Sequence, residues 1–481
     1  MTGAQYIVRF LCQKGLHTIF GYPGATVLGL YDAIAAEPQI THVLTRHEQG
    51  AVFAASGYAK ASGIPGVCIA TSGPGAVNLT TGIAEAYLDS VPLLIFTGQV
   101  ETGSIGRDAF QEADIMGITI PVTKHNYLIK TAEALPRCLE EAWRICTQGR
   151  RGPVLIDIAR DILDGEIEVP QTIDAVLPRK RSNDYVLSSQ LGALRRAIAG
   201  SFRPLILAGG CVSADGASTL LATFAAESGI PIVTTLMGMG IRIDRATERG
   251  LCRPPHLLGM AGRYGNHAAN EALSQCDLLL AIGTRFSDRT IPDFAAFSRS
   301  RTIIHCDIDP AEISKNVQAD IGITCSATVF LEALLSMQRE SALSASSKTW
   351  DAWNAQLHAA FSRPTYEHVG KLKVGEVMQE IDTLEEELQD AVYVSDVGDF
   401  QMTAARVIEP RFERGFLTSG GLGAMGFGLP AAIGTSFSAS SQIRQIIAFC
   451  GDGGLQMSIA ELATLHAAKR PIKIFLFNNH A

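Results

Sequence analysis

Apolar residues in this chain collect in short unbroken runs instead of alternating strictly with polar ones. Such runs fall at residues 17–20, 66–70, 92–96 and 153–158, again at 204–207, 231–234, 277–282 and 302–307, and a third time at 391–394, 446–450 and 472–477. Runs this short read as strands covered on both faces, as in a parallel sheet sandwiched between helices. Longer stretches of helical pattern separate them, so strand and helix alternate within each third of the chain. The prediction is an α/β protein of three doubly wound parallel-sheet domains at residues 1–168, 188–330 and 370–481. The third is expected to be incomplete, because the sequence ends while its sheet is still being laid down. Segments 169–183, with prolines and charges, and 341–347, rich in serine, read as linkers.

The last of these patterns carries the most chemistry. Run 446–450 leads into Gly451-Asp452-Gly453-Gly454, Ser458-Ile-Ala-Glu461 reads as a capping box that opens a helix, Pro471 ends that helix, and run 472–477 leads into Asn478-Asn479. A strand-loop-helix-strand unit of this kind puts Asp452 and Asn479 at the C-terminal ends of neighbouring strands, where ligands of parallel sheets collect. The glycines let backbone approach a phosphate, and a carboxylate with an amide oxygen suits a magnesium ion that also binds diphosphate oxygens.

Composition narrows the classes. The 481 residues carry 40 Lys and Arg against 48 Asp and Glu, a net charge of −8, so a general nucleic-acid surface is not expected. No apolar run is long enough to span a membrane, and the N-terminus lacks the basic-then-apolar pattern of a signal peptide; no membrane association and a cytoplasmic location are expected. The ten cysteines show no Cys-x-x-Cys spacing, and Cys68, Cys306 and Cys450 sit inside apolar runs, so buried free thiols are predicted.

Two further motifs lie in the first third. His42-Val-Leu-Thr-Arg-His-Glu48 places a carboxylate after a strand and at the start of a helix predicted over 51–61, where the helix dipole alone favours it by up to ~1 kcal/mol. Thr71-Ser-Gly-Pro-Gly-Ala-Val-Asn78 follows a strand with glycines that permit close approach of a cofactor. Gly421-Leu-Gly-Ala-Met-Gly426 fits the dinucleotide pattern, but no acidic residue about twenty positions on completes it.

The Gly-Asp-Gly to Asn-Asn unit, Arg46-His-Glu-Gln-Gly50, Thr71 to Asn78 and Leu417 to Pro430 together resemble the thiamine diphosphate superfamily. Gly21-Tyr-Pro-Gly24, Phe110-Gln-Glu112, Pro121 to His125, Gly149-Arg150, Thr234 to Gly238, Arg285 to Arg289 and Asp307-Ile-Asp309 narrow the resemblance to the acetohydroxyacid synthase (acetolactate synthase) catalytic subunits. The resemblance implies that Glu48 bonds the cofactor's aminopyrimidine and that Phe110, Gln111 and Lys124 share the catalytic site. It implies that Gly24, Pro74, Asn78, Gly398, Met425, Gly451, Gly453 and Gly454 surround thiamine diphosphate, Met425 as a wedge between its rings rather than core filling. By the same resemblance Asp452, Asn479 and the Ala481 carbonyl hold Mg2+. Arg150, Thr235, Leu236, Met237, Gly259 and Asp307 are likewise implied to hold FAD, and Arg289 to select the incoming 2-oxo acid rather than pair with Asp288. The implied substrates are pyruvate and 2-oxobutyrate, and the implied assembly is a homodimer or higher oligomer with a small regulatory subunit.

Several positions depart from the family pattern. Asp399-Phe400 replaces a Gln-His that faces the diphosphate, Arg263-Tyr264 a Met-His, Arg107 a Thr, and Cys211 and Ala25 each a glycine; the family's covering segment past Asn479 is absent from the sequence. These departures leave two alternatives: another carboligase or decarboxylase of the superfamily, and a degenerate subunit that only associates with an intact relative.

Overall fold

The computed structural model describes residues 1–169, 184–241, 256–340, 347–360, 366–368, 370–384, 391–410, 413–438 and 445–479. The expected linkers at 169–183 and 341–347 fall almost wholly outside them.

The described strands form three sheets. The first joins β1 (Thr18–Gly21), β2 (Thr41–Leu44), β3 (Gly66–Ala70), β4 (Leu93–Gln99), β5 (His125–Ile129) and β6 (Pro153–Ala159) in the order β2-β1-β3-β4-β6-β5, every pair parallel. Every residue of β3, β4 and β6 is buried, which is why those runs contain no polar alternation. The second joins β7 (Pro204–Ala208), β8 (Ile232–Thr234), β9 (Leu257–Met260), β10 (Leu278–Ile282), β11 (Thr302–Asp307) and β12 (Ile321–Thr324) in the order β12-β11-β10-β7-β8-β9, also all parallel. The third joins β13 (Ala391–Ser395), β14 (Phe416–Thr418), β15 (Gln445–Gly451) and β16 (Lys473–Phe477) in the order β14-β13-β15-β16. The orders reverse between β1 and β3, between β7 and β10, and between β13 and β15, and in the first sheet the chain also turns back from β5 at the edge to β6. At such a reversal the flanking connections leave in opposite directions and open a crevice beyond the strand ends.

The chain's contacts group it into two compact units. One holds residues 1–179, 392–398 and 417–481; the other holds 180–391 and 399–416. The helices Val374–Thr383 and Asp399–Val407, expected with the third sheet, therefore group with the central one.

Within the first unit the outer sheets meet through two helices, Glu48–Ser62 and Gly428–Thr435. The approach is backbone to backbone. A Cβ on Gly57 would lie 2.2 Å from the Ala431 carbonyl oxygen, and one on Gly434 would lie 1.8 Å from that of Ala54. The first of these helices starts three residues before the predicted 51–61, with the His47 ring accepting the Gln49 N–H at 3.1 Å, and closes at Gly63 in the left-handed conformation (φ 76°).

The capping box at Ser458 does not form. Residues 452–457 make a short helix of their own, and the next helix, Glu461–Ala468, begins after Ala460 with no side-chain cap. Glu461 instead accepts backbone N–H groups from the turn before Glu48. No helix among the described residues is long and apolar enough to cross a membrane.

Candidate active site

Glu48 stands beside the reversal of the first sheet. Gly24 lies just past β1, and Thr71 follows β3. The Thr26 and Thr71 hydroxyls meet at 2.9 Å, and Thr26 Oγ1 accepts the Ser72 N–H at 3.1 Å. The glycines are there because the walls touch: a Cβ on Gly24 would lie 2.4 Å from Thr71 Cβ, and one on Gly75 would lie 2.7 Å from Thr71 Cγ2 and 3.2 Å from Glu48 Oε1. Gly73 takes φ +58° ahead of the helix Pro74–Asn78, whose last residue donates from Nδ2 to Glu48 Oε2 at 3.0 Å. A half-buried carboxylate is thus oriented by one amide at the edge of a glycine-lined crevice.

The other residues expected to act with Glu48 divide. Gln111 takes φ +61° and backs onto Gly73, whose Cβ would lie 2.7 Å from the Gln111 carbonyl oxygen. The Phe110 ring, on the same loop, is 88% exposed. The Lys124 ammonium donates to the Ile145 carbonyl and, at 2.9 Å, to that of Gln148, at the C-terminal turn of the helix Ala134–Thr147. A cation there satisfies orphan carbonyls and the helix dipole.

The reversal of the third sheet gathers the phosphate-type residues. Gly451 ends β15, and Gly453 and Gly454 lie in the first turn of the helix Asp452–Met457. Gly451 is in register with Phe477, which brings Asp452 level with Asn478 and leaves exposed Asn479 one residue beyond. Ala481 lies outside the described residues. No group of three His, Cys, Asp or Glu among the described residues could hold a metal alone. A carboxylate, an amide and a main-chain carbonyl fit only a hard cation completed by ligand oxygens.

Asp396, which carried no signal in the sequence beyond its place after β13, organises this crevice. Its fully buried carboxylate accepts the Val397 N–H at 2.7 Å and the Gly426 N–H at 3.0 Å, and lies 2.6 Å from where a Gly454 Cβ would be. Burial pushes its pKa up to about 6 against the pull of backbone N–H groups from Val397, Gly428, Gly426 and Phe427. Ser419 Oγ meanwhile accepts the Ala424 N–H at 3.0 Å. Held between these anchors, Met425 is 40% exposed, with its Cε 3.3 Å from where a Gly453 Cβ would be. That exposure removes the core-filling reading of Met425.

Gly398 is half-buried ahead of the helix Asp399–Val407; Asp399 is exposed, and Phe400 is buried.

In the central unit the reversal lies between Gly209 and Gly283. The Gly209 N–H donates to Ile282 at 2.9 Å, and a Cβ on Gly209 would lie 2.0 Å from the Gly283 carbonyl oxygen. Thr235 Oγ1 accepts the Gly238 N–H at 3.2 Å and turns Leu236 and Met237 beyond β8; Gly259 takes φ +98° in β9; buried Asp307 ends β11 and accepts the Asp309 N–H at 2.9 Å. Five expected FAD residues thus share the C-terminal edge of one sheet. Arg150 belongs to the other unit and donates to Ser90 Oγ at 2.9 Å. The Arg289 guanidinium meets the Met402 sulfur at 2.9 Å.

A buried charge cluster was not visible in the sequence. Lys60, at the far end of the Glu48 helix, donates to Glu85, to Asp89 at 2.7 Å and to the Thr418 carbonyl at 2.7 Å, and lies over the Phe427 ring at 4.7 Å. Asp89 in turn accepts the Gly420 and Gly421 N–H groups at 3.0 and 2.7 Å. Burial raises the Glu85 pKa to about 7 despite Lys60.

Three family models match in chain order: the thiamine pyrophosphate enzyme N-terminal TPP binding domain over residues 1–118, the central domain over 191–334, and the C-terminal TPP binding domain over 396–481. A "Probable acetolactate synthase large subunit" of Methanocaldococcus jannaschii is 42% identical over all of this chain and 80% of its own length. The acetolactate synthase large subunit of Corynebacterium glutamicum is 42% identical over all of this chain and 75% of its own, and that of Lactococcus lactis 39% over all and 81%. The crevices beyond β3 and β15 fall within the two TPP-binding matches, and the chain belongs to the acetolactate synthase large-subunit family of thiamine pyrophosphate enzymes.

Proposed function

We propose that the chain is an acetolactate synthase catalytic subunit that decarboxylates pyruvate and joins the remaining two-carbon unit to a second 2-oxo acid, pyruvate or 2-oxobutyrate. Bound thiamine diphosphate supplies the electron sink that decarboxylation requires. Its fit rests on the glycine walls: at Gly24, Gly75 and Gly453 a side chain would intrude on Thr71, Glu48 or Met425. Glu48 would hold the proton exchanged with the aminopyrimidine ring nitrogen, and the amide of Asn78 holds its carboxylate in place. Gly451, Gly453 and Gly454 admit the diphosphate; Asp452, Asn479 and the Ala481 carbonyl would hold Mg2+. Met425 would pack against the bound cofactor.

FAD would occupy the edge of the central sheet, with Thr235, Leu236, Met237, Gly259 and Asp307. Arg289 would pair its planar fork with the carboxylate of the second substrate, and Phe110 and Gln111 would lie on the substrate side. A homodimer or higher oligomer is the assembly we infer. Relatives named as large subunits support a small regulatory partner.

The observation that carries this reading is the half-buried Glu48 carboxylate, held by Asn78 against Gly75. Glu48→Gln should leave folding nearly unchanged and lower acetolactate formation by at least ~10²-fold, the lower end for a lost acid/base group. Colorimetric acetolactate assay at saturating cofactor and calorimetric binding of magnesium-thiamine diphosphate check it. Activity above about a tenth of the parent rate would reject Glu48 as the acid.

A further inference from the structure

We infer that Glu461 is a positioning residue for Glu48, an inference that rests on the catalytic reading of Glu48. Glu461 is a buried glutamate, 1% exposed, on a helix separated by more than 400 residues from the segment it serves. Its Oε1 accepts the N–H groups of Arg46 at 3.0 Å and His47 at 3.1 Å, the two residues before Glu48, and its Oε2 accepts the Thr464 hydroxyl at 2.7 Å. Thr464 Oγ1 also lies 3.2 Å from the Leu44 carbonyl oxygen, a second acceptor that competes with Glu461 for its one proton.

The turn needs such a partner. Arg46 is half-buried and His47 exposed; neither is in β2 nor in the helix, so their N–H groups have no ladder or helical acceptor and take Glu461 instead. A carboxylate is the strongest acceptor available for two donors at once. Gly50 confirms how closely it is seated, since a Cβ there would lie 2.2 Å from Glu461 Oε1. Glu48 follows His47 directly, so the direction of its side chain is fixed by the same turn. A catalytic group displaced by about 1 Å can lose ~10²-fold in rate without losing its substrate.

Three variants of the full chain test this: Glu461→Ala, Glu461→Asp, which withdraws the acceptor by one methylene, and Glu461→Gln, which keeps an acceptor oxygen at full reach. In the Gln variant the new amide can donate to Thr464 while Thr464 donates to Leu44. Amide hydrogen exchange of the 44–50 segment, read without cofactor, should accelerate at least tenfold in the Ala and Asp variants. Per cofactor-loaded site, their kcat should fall at least tenfold with KM for pyruvate changed less than about threefold, and Gln should recover most of that loss. Should the Ala and Asp chains fail to fold, Thr464→Val carries the same reading, with the same split between kcat and KM on a smaller scale. Slower melting or lower yield with unchanged kcat per loaded site would overturn the inference, as would a Gln variant no better than Ala. If Glu48→Gln itself stays active, the catalytic reading of Glu48 falls first, and exchange at 44–50 alone decides whether Glu461 holds the turn.

Discussion

The two ends of the helix Glu48–Ser62 are both tied to the last third of the chain, and by opposite chemistries. At its start a carboxylate, Glu461, accepts neutral backbone N–H groups. At its far end a buried ammonium, Lys60, stands between two carboxylates and a backbone carbonyl. Removing one partner from the second end leaves an unpaired charge in a low-dielectric interior, whereas the first end is served by any acceptor of the right reach. The difference separates a tie that aims a side chain from one that decides whether the unit holds together.

Lys60→Met should have the largest effect on stability, a loss of ~3–5 kcal/mol, because Glu85 and Asp89 are left buried without their cation. Urea unfolding of the apo chain measures it; a loss below about 1 kcal/mol would mean that the two ends are energetically alike. Gly57→Ala probes the middle of the same helix. Alanine is the better helix former by ~1 kcal/mol, yet its methyl would meet Ala431 backbone atoms within 2.2–2.7 Å, so we expect a net loss of ~1–3 kcal/mol. A more stable Gly57→Ala chain would show that the helices can part without cost.

Glu85→Gln should be the mildest and sharpens the comparison through pH. It keeps the Lys60–Asp89 pair, and we expect a change of no more than ~1 kcal/mol at pH 5. A carboxyl whose pKa rises from 4.5 to about 7 on folding contributes stability that is fully present below pH 4.5 and lost as pH climbs through 7. The parent should therefore weaken from pH 5 to pH 8, and the Gln variant should weaken less. Parallel slopes across that window would show that Glu85 does not titrate with folding.

The strands were legible because burial on both faces writes itself as an apolar run: β3 and β11 were placed to the residue. The glycine-bearing strand ends were legible for a related reason, since backbone that must come close excludes side chains. Ser458 to Glu461 shows where local reading stops. The spacing of a capping box is correct, but Glu461 finds donors from residues 46 and 47 instead, and no local pattern announces a partner so far away. Lys60, Glu85 and Asp89 were missed for the same cause, each being an ordinary helix charge until the fold buries it.

The long sequence separation of these ties also sets a clock for folding. Arg46 bonds a residue 415 positions later, and Lys60 one 358 positions later. At ~5–20 residues per second, the Arg46 turn would wait about 20–80 s after its own synthesis before the residue that satisfies it emerges. Until then a half-built interior carries backbone N–H groups without their acceptor and an uncovered helix face, the contact pattern that makes folding slow. The nascent N-terminal third is for that interval a client for chaperones, and its vulnerability to proteases should end abruptly with the arrival of the helix that bears Glu461.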